Sequence, residues 1–319
     1  MELIYINLNN ISIPKGIVGC IGIFDGVHSG HNSVISTVNE VGKLYDLRTA
    51  LITFDPHPDY VLGKTSDEYY ITPLEDRINT IEKLYNLDYM IVIEFTKELS
   101  KLSYIEFYNL FLSTLKIIVV GEGFRFGWNN LGTVNELTDL HCKNDNKVIA
   151  VPHYLCNDQI KKVSSQDAIL FLKEGKIEEV IKLGIKYKVS GFVTKGSQIG
   201  SKIGYPTANV QISDKYCPIK NGVYAVVIII DEKRFLGIAN YGYNPSFNKI
   251  EKPRLEVHIF EFNEDIYNKK VKVEFISFIR DEKKFKSVDD FLKQLEIDCN
   301  KCINECGGKY ETVNCRGNG

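Results

Sequence analysis

Two stretches of this chain combine residue types and spacings suited to phosphate chemistry. The first is Asp25-Gly26-Val27-His28-Ser29-Gly30-His31, which follows an apolar run at Val18–Phe24 and precedes a helical pattern over Asn32–Tyr45. A Gly-rich loop between a strand and a helix N-terminus offers free N–H groups and the positive end of the helix dipole to an anion. His28 and His31 can donate hydrogen bonds to a phosphoryl oxygen as charge develops there. For the loop alone, a tight turn with two solvated histidines is the competing reading. The second stretch runs from Lys195 to Asn209, with Gly196, Gly200 and Gly204 at four-residue spacing, then Pro206-Thr207-Ala208-Asn209. Glycines so placed let backbone approach a polyphosphate. The order after Gly200, Ser201-Lys202-Ile203, excludes a Walker A loop. A Thr207 hydroxyl and an Asn209 carbonyl oxygen are hard donors that suit Mg²⁺ on the phosphates of ATP.

The elements that must hold these motifs fall into two rhythms. In the first half, strand-like runs at Val18–Phe24, Thr49–Phe54, Tyr89–Phe95, Ile117–Gly121 and Lys147–Val151 alternate with amphipathic helices. Thr72-Pro73-Leu74-Glu75 reads as an N-cap, a first-turn Pro and a capping-box Glu, and Ser103-Tyr104-Ile105-Glu106 opens another helix in the same way. Such alternation predicts a parallel, doubly wound sheet with its ligand at the carboxyl ends of the strands. After about Gly184 the pattern becomes strands joined by turns: Tyr187–Val193, Tyr224–Ile230, Phe235–Asn240, Leu255–Phe262 and Val271–Phe278. Asp231-Glu232-Lys233 reads as a hairpin turn, and a helix opened by Ser287 closes the set. This half predicts an antiparallel barrel. The expected division is 1–184, 185–306 and a mobile tail at 307–319.

Composition narrows the class. In 319 residues, 39 basic groups against 41 acidic ones leave a net charge of −2, which gives no reason to expect a nucleic-acid partner. An apolar share of 44% is enough to bury real cores. Met1–Asn10 lacks the basic start and apolar run of a signal peptide, and no stretch approaches the roughly 20 apolar residues of a membrane span. The expectation is a cytoplasmic protein with no membrane partner, a monomer or weak homo-oligomer. Eight Cys are too few for a disulfide scaffold. Cys299, Cys302, Cys306 and Cys315 could in principle hold a metal. The first three share one apolar helical stripe with Val288, Leu292 and Leu295, which favours buried thiols.

Gly22-Ile23-Phe24-Asp25-Gly26-Val27-His28-Ser29-Gly30-His31 resembles the nucleotidyltransferase signature of bacterial bifunctional riboflavin kinase/FMN adenylyltransferases, the prokaryotic FAD synthetases. The resemblance continues at Thr53-Phe54-Asp55-Pro56-His57-Pro58 and Phe124-Arg125-Phe126-Gly127. In the second half it takes in the Gly196–Asn209 stretch, Asn221-Gly222-Val223-Tyr224, Ala239–Phe247 and Leu255-Glu256-Val257-His258. It implies an α/β plus β fold: an N-terminal Rossmann-like nucleotidyltransferase domain and a C-terminal antiparallel β-barrel riboflavin kinase domain. It further implies phosphorylation of riboflavin by ATP to FMN, then adenylylation of FMN by ATP to FAD. On that reading His28 and His31 bind and stabilise the ATP phosphates, and Gly22, Phe24, Gly30, Phe124, Arg125 and Ser164 belong to the same site. Gly196, Gly200, Gly204, Pro206, Thr207 and Asn209 bind Mg²⁺–ATP, Glu256 is the base for the ribityl hydroxyl, and Arg280 lies on the flavin side.

Two departures bear on the adenylyl step. Gly123 stands where the family usually has Asp or Asn. Ser164-Ser165-Gln166-Asp167-Ala168-Ile169 replaces a Ser-Ser-Thr-Arg-Ile-Arg type segment, so two arginines are missing and the Asp167 carboxylate is added. Both changes weaken contacts to a triphosphate unless groups such as Lys161 and Lys162 substitute. The alternatives are therefore a monofunctional riboflavin kinase with a degenerate first domain, and a non-catalytic flavin- or nucleotide-binding regulatory protein.

Overall fold

The structure is a computed structural model that describes residues 1–143, 145–153, 163–196, 204–242 and 254–306. It divides into two compact units, Met1–Ser165 and Gln166–Gly319.

The first unit is built on six strands: β1 (Glu2–Ile6), β2 (Val18–Ile21), β3 (Thr49–Asp55), β4 (Tyr89–Glu94), β5 (Ile117–Gly121) and β6 (Lys147–Val151). They pair in the order β1-β4-β3-β2-β5-β6, every pair parallel. The connecting helices are α1 (Ser29–Tyr45), α2 (Pro58–Val61), α3 (Leu74–Leu84), α4 (Tyr104–Phe111) and α5 (Val134–His141). Side chains alternate between the faces of each strand, so the sheet needs cover on both sides. Val34, Ile35 and Val38 of α1 and Ile81 of α3 pack with Val18, Leu51 and Met90 on one face. Phe107 and Phe111 of α4 and Leu137 of α5 pack with Ile52, Ile91 and Ile118 on the other.

Ser103 forms the expected capping box with Glu106. Thr72 does not cap α3: the N-cap is Pro73, without a side-chain bond, and the Thr72 N–H donates to Asp25 Oδ1 at 2.8 Å instead. The segment before α3 is thus committed to the Asp25 loop. Strand β2 stops at Ile21, short of Phe24, and α1 starts at Ser29 rather than Asn32, because the intervening turn is stepped by left-handed residues.

The second unit is a closed barrel of β7 (Lys188–Thr194), β8 (Ala208–Ile212), β9 (Gly222–Ile230), β10 (Lys233–Gly242), β11 (Arg254–Ile259) and β12 (Lys270–Arg280). The order is β10-β11-β8-β7-β12-β9, and every neighbouring pair is antiparallel. Strands β9 and β10 meet at Asp231 and Glu232, whose φ values of 49° and 64° are those of a two-residue hairpin turn matched to strand twist. Two helices precede the barrel, α6 (Ser165–Glu174) and α7 (Ile177–Lys182). Leu172 accepts from the Lys220 N–H at 3.1 Å and α7 packs against β12, so both helices group with the barrel in the compact division.

The last helix, α8 (Val288–Glu305), is capped by Ser287 and lies on β9, β10 and β12. Cys299, Cys302 and Cys306 are buried there against Val223, Ala225 and Ile238. Val288 is 57% exposed and leaves that stripe, being at the solvated first turn. Cys315 lies outside the described residues.

Candidate active sites

In the parallel sheet the chain builds β2, β3 and β4 in one direction, then returns to place β5 on the other side of β2. The carboxyl ends of β2 and β5 therefore flank the point where strand order reverses, where such sheets leave a crevice for ligand. The His28–His31 loop leaves β2 there, and Gly123-Phe124-Arg125 leaves β5 there.

Between β2 and α1, Phe24, Gly26 and Val27 take φ values of 54°, 78° and 44°. For Phe and a β-branched Val that backbone costs about 1–3 kcal/mol each, and burial to 2% and 5% exposure holds them in it. The turn delivers His28 to the N-cap of α1, where its Nδ1 accepts the His31 N–H at 3.2 Å. In the neutral ring Nε2 must then carry the proton and be the donor. The two imidazoles stack at 3.6 Å and the Phe24 ring meets His31 edge-on at 5.2 Å. The first turn of α1 contains no acidic residue, so its N–H groups face an anion without a competing carboxylate.

Behind the loop lies a charged cluster the sequence reading did not single out. Arg77 is fully buried; its Nη1 donates to the Ile23 carbonyl at 2.6 Å and its Nη2 to the Phe54 carbonyl at 3.3 Å, tying the ends of β2 and β3 together. Asp25 accepts from the Ile71 and Thr72 N–H groups. Burial pushes the Asp25 carboxyl up against the pull of Arg77, and lowers Arg77 against the pull of Asp25 and Asp55. His57 caps α2 through Nδ1, accepting the Asp59 N–H at 3.1 Å, and burial holds it below the ordinary imidazole range. A basic residue at helical spacing on the apolar face of α3 was the available signal for Arg77.

Phe124 is half-buried and stacks on Phe126 at 5.5 Å, while Gly123 and Arg125 are exposed. Gly22 lies close to the Phe24 ring, which a Cβ would meet at 3.3 Å. Ser164 is half-buried, and its neighbour Ser165 donates to the Asp25 carbonyl at 2.9 Å, anchoring this serine pair to the loop of the two histidines. Asp167 falls in the first turn of α6, where the helix dipole favours a carboxylate. Lys161 and Lys162 lie outside the described residues.

In the barrel, cross-strand pairing brings Asn209 of β8, Glu256 of β11 and Asn240 of β10 into one row, Asn209 opposite Glu256 and Glu256 opposite Asn240. Directly paired residues share a face, so the sequence separation of Asn209 and Glu256 disappears in the sheet. Gly196 closes on Asn209: a Cβ there would lie 2.0 Å from Asn209 Nδ2. Gly204, at φ +82°, turns the chain into Tyr205-Pro206-Thr207. Gly200 and the Tyr243–Phe247 part of the quoted motif lie outside the described residues.

Glu256 and Asn240 line a cavity of about 380 Å³ floored by Val223, Ile238 and Ala239 and walled by Phe285, Phe291 and Leu295. Thr207 is on its rim and also lines a second cavity of about 360 Å³, bounded by Val193, Phe262 and Tyr267 among others. Arg280 lines the first cavity, with its guanidinium held at 2.7 and 2.8 Å by the buried Asp298. Asp298, Phe285 and Phe291 were missed because they come from α8 and the segment before it, read only as a closing helix. The arrangement is a largely apolar slot suited to a flat ring system, lined also by Asn240, Glu256, Glu282 and Lys283, with Asn209 paired to Glu256 behind it and the Thr207 hydroxyl shared with a neighbouring cleft.

Comparison with known proteins matches each unit separately. A family model described as FAD synthetase covers residues 10–167, and one described as riboflavin kinase covers residues 183–305. A bifunctional riboflavin kinase/FMN adenylyltransferase of Bacillus subtilis is 35% identical over 90% of this chain and 91% of its own. One from Buchnera aphidicola is 37% identical over 92% and 94%. A crystal structure described as a macrolide-efflux protein from Streptococcus pneumoniae has a TM-score of 0.85 at 30% identity, covering 94% of this chain and 98% of that one. Among the described residues, no helix of this chain is long and apolar enough to cross a membrane.

Proposed function

The chain belongs to the bifunctional riboflavin kinase/FMN adenylyltransferase family, and from that premise we infer that its barrel phosphorylates riboflavin with ATP and its parallel-sheet unit joins the resulting FMN to AMP from a second ATP, releasing pyrophosphate. The observation that carries the kinase reading is the cross-strand row Asn209–Glu256–Asn240, whose Glu256 and Asn240 line the apolar cavity. The flavin ring stacks against Phe285 and Phe291, and the ribityl chain reaches toward Glu256. Glu256 accepts the proton of the terminal hydroxyl as that oxygen attacks the γ-phosphorus and ADP leaves. The second cavity takes the nucleotide, so Thr207 stands where the two ligands meet.

The Thr207 hydroxyl and the Asn209 carbonyl are hard oxygen donors, with the Glu256 carboxylate opposite Asn209. That set fits Mg²⁺. When bound, the ion would neutralise charge on the phosphates. The chain's own part is to hold Asn209 under Gly196 and to keep water from the hydroxyl by closing the slot with α8.

For the adenylyl step, His28 Nε2–H and the N–H groups opening α1 stabilise charge on the ATP phosphates, while Ser164 and Ser165 hold the loop from the other side. Both relatives carry both activities in their names, which speaks against the monofunctional and non-catalytic alternatives. ATP and free flavin as co-substrates suit a cytoplasmic enzyme. The test is a product assay on the purified protein with ATP and Mg²⁺. FMN from riboflavin and FAD from FMN support both assignments; FMN alone removes the adenylyl role, and no product removes both.

A further inference from the structure

Strands β2 and β3 run in register from Val18 beside Thr49 to Ile21 beside Ile52, and the Gly22 N–H carries the pairing one step further by donating to the Ile52 carbonyl at 3.1 Å. Continued to Ile23, that register sets it beside Phe54, where the chain leaves the sheet for the turn of His28. A side chain takes over from the ladder there. The fully buried Arg77 of α3 donates to the Ile23 carbonyl at 2.6 Å and to the Phe54 carbonyl at 3.3 Å. The Ile23 carbonyl also accepts from the Thr53 hydroxyl at 2.9 Å, so both of its lone pairs are taken. The next residue is Phe24, the first of the left-handed residues that deliver His28 to the N-cap of α1. The lead-in to α3 grips the same turn a second time, since the Ile71 and Thr72 N–H groups donate to the Asp25 carboxylate at 2.9 and 2.8 Å. A buried cation is costly unless it is paired. This one lies among Asp25, Asp55 and the Tyr70 ring, whose centre is 5.8 Å away.

We propose that Arg77 is a positioning residue for adenylyl transfer, its forked hold on the Ile23 and Phe54 carbonyls setting where His28 presents Nε2–H to the ATP phosphates. The inference rests on the adenylyl reading of this unit. Left-handed backbone at Phe24 and Val27 is strained, and a strained turn keeps one shape only while both its ends are fixed. The far end is fixed by the bond from the His31 N–H to His28 Nδ1, the near end by Arg77 together with Thr53. A donor aimed at developing charge loses much of its effect when displaced by about 1 Å. Arg77, sealed beneath the turn, acts through the imidazole rather than on the ligand.

The test is a double-mutant cycle on FAD formation from FMN, read as kcat/KM for ATP and counted per folded molecule well below each variant's thermal transition. Arg77→Met removes both donors; kcat/KM should fall about tenfold, with FMN formation from riboflavin within twofold. Arg77→Lys should recover to within about threefold, because its Nζ, with three donors, stands near the Arg Cζ position between the two carbonyl oxygens. His28→Ala alone should cost about 10²-fold. Adding Arg77→Met to His28→Ala should cost less than a further twofold, since the group it positions is gone. A brace with only a structural role would lower the thermal transition and leave the rate per folded molecule unchanged. Arg77→Met within twofold of the unaltered protein therefore overturns the proposal. So does a double variant near 10³-fold, the product of independent losses, or a Lys variant no better than Met. Where Arg77→Met does not fold, Arg77→Gln, which keeps one amide donor group, runs the same cycle. FAD formation by the unaltered protein is the separate control: its absence would count against the adenylyl reading rather than against Arg77.

Discussion

Glu256→Gln keeps the shape of the side chain and removes its basic oxygen. Glu256 is a half-buried residue of β11 paired with Asn209 and Asn240, so the isosteric change should alter stability by less than about 0.5 kcal/mol. A positioned general base contributes about 10²–10⁴ in rate. At 1.36 kcal/mol per tenfold this is about 3–5 kcal/mol of barrier. The cavity walls of Phe285, Phe291 and Leu295 limit water that could replace the lost base, which puts the expected loss near the middle of that range, about 10³-fold in kcat. Riboflavin affinity should stay within about threefold, because the ring slot is untouched. Adenylyl transfer should be unaffected, since its residues lie in the other compact unit. The assay is chromatographic quantification of FMN and FAD under saturating substrates, with flavin binding titrated in parallel. FMN formation within tenfold of the unaltered enzyme would refute the assignment of Glu256 as base. So would a loss of binding as large as the loss of rate.

Gly196→Ala should cut kinase turnover at least tenfold while FAD formation from FMN persists, because the new methyl collides with the Asn209 carboxamide; equal kinase rates would show that Asn209 has no fixed place in the reaction. His28→Ala should lower kcat/KM for ATP in the adenylyl step by about 10²-fold and leave FMN formation within twofold, with separate product assays deciding. His141 is fully buried beside the Tyr108 hydroxyl, and burial brings it down to about 4. Starting from about 6.5 in the unfolded chain, the unfolded state binds the proton first. The stability this confers is complete above about pH 6.5 and is lost as pH falls toward 4. At pH 5 the loss is about 2 kcal/mol. Urea denaturation of the protein and its His141→Leu variant at pH 7 and pH 5 measures this. A variant with an unchanged pH slope contradicts it.

The parallel sheet was legible because apolar runs and capping boxes mark its elements locally, as at Ser103–Glu106. Edge strand β1 gave no such signal: Glu2, Leu3 and Tyr5 are exposed, so its run lacks a clear buried face. Thr72 was misread because a capping pattern in sequence cannot show that its N–H is claimed by Asp25, far away in the chain. The motif histidines, Thr207, Asn209 and Glu256 were visible as residue types at recognisable spacings. Their meeting was not, since Asn209 and Glu256 become neighbours only through the pairing of β8 with β11. Strand β8 was not among the expected strands, its Ala208–Ile212 run overshadowed by the glycines before it. Arg77 and Asp298 were hidden for a related reason: buried charges look like solvated ones until their partners are in place.

The pairing that unites Asn209, Glu256 and Asn240 also limits how this chain can change. Side chains alternate along β11, so deleting one residue ahead of Glu256 would present Leu255 or Val257 to the cavity and turn the carboxylate toward the opposite face. Substitutions along these strands can be absorbed one at a time, whereas a change of length disables three residues together. Insertions and deletions in the barrel should therefore be tolerated only where they leave the ladder in step. The two-residue turn at Asp231–Glu232, at the other end of β10 from Asn240, then acts as a frame-keeper for the chemistry.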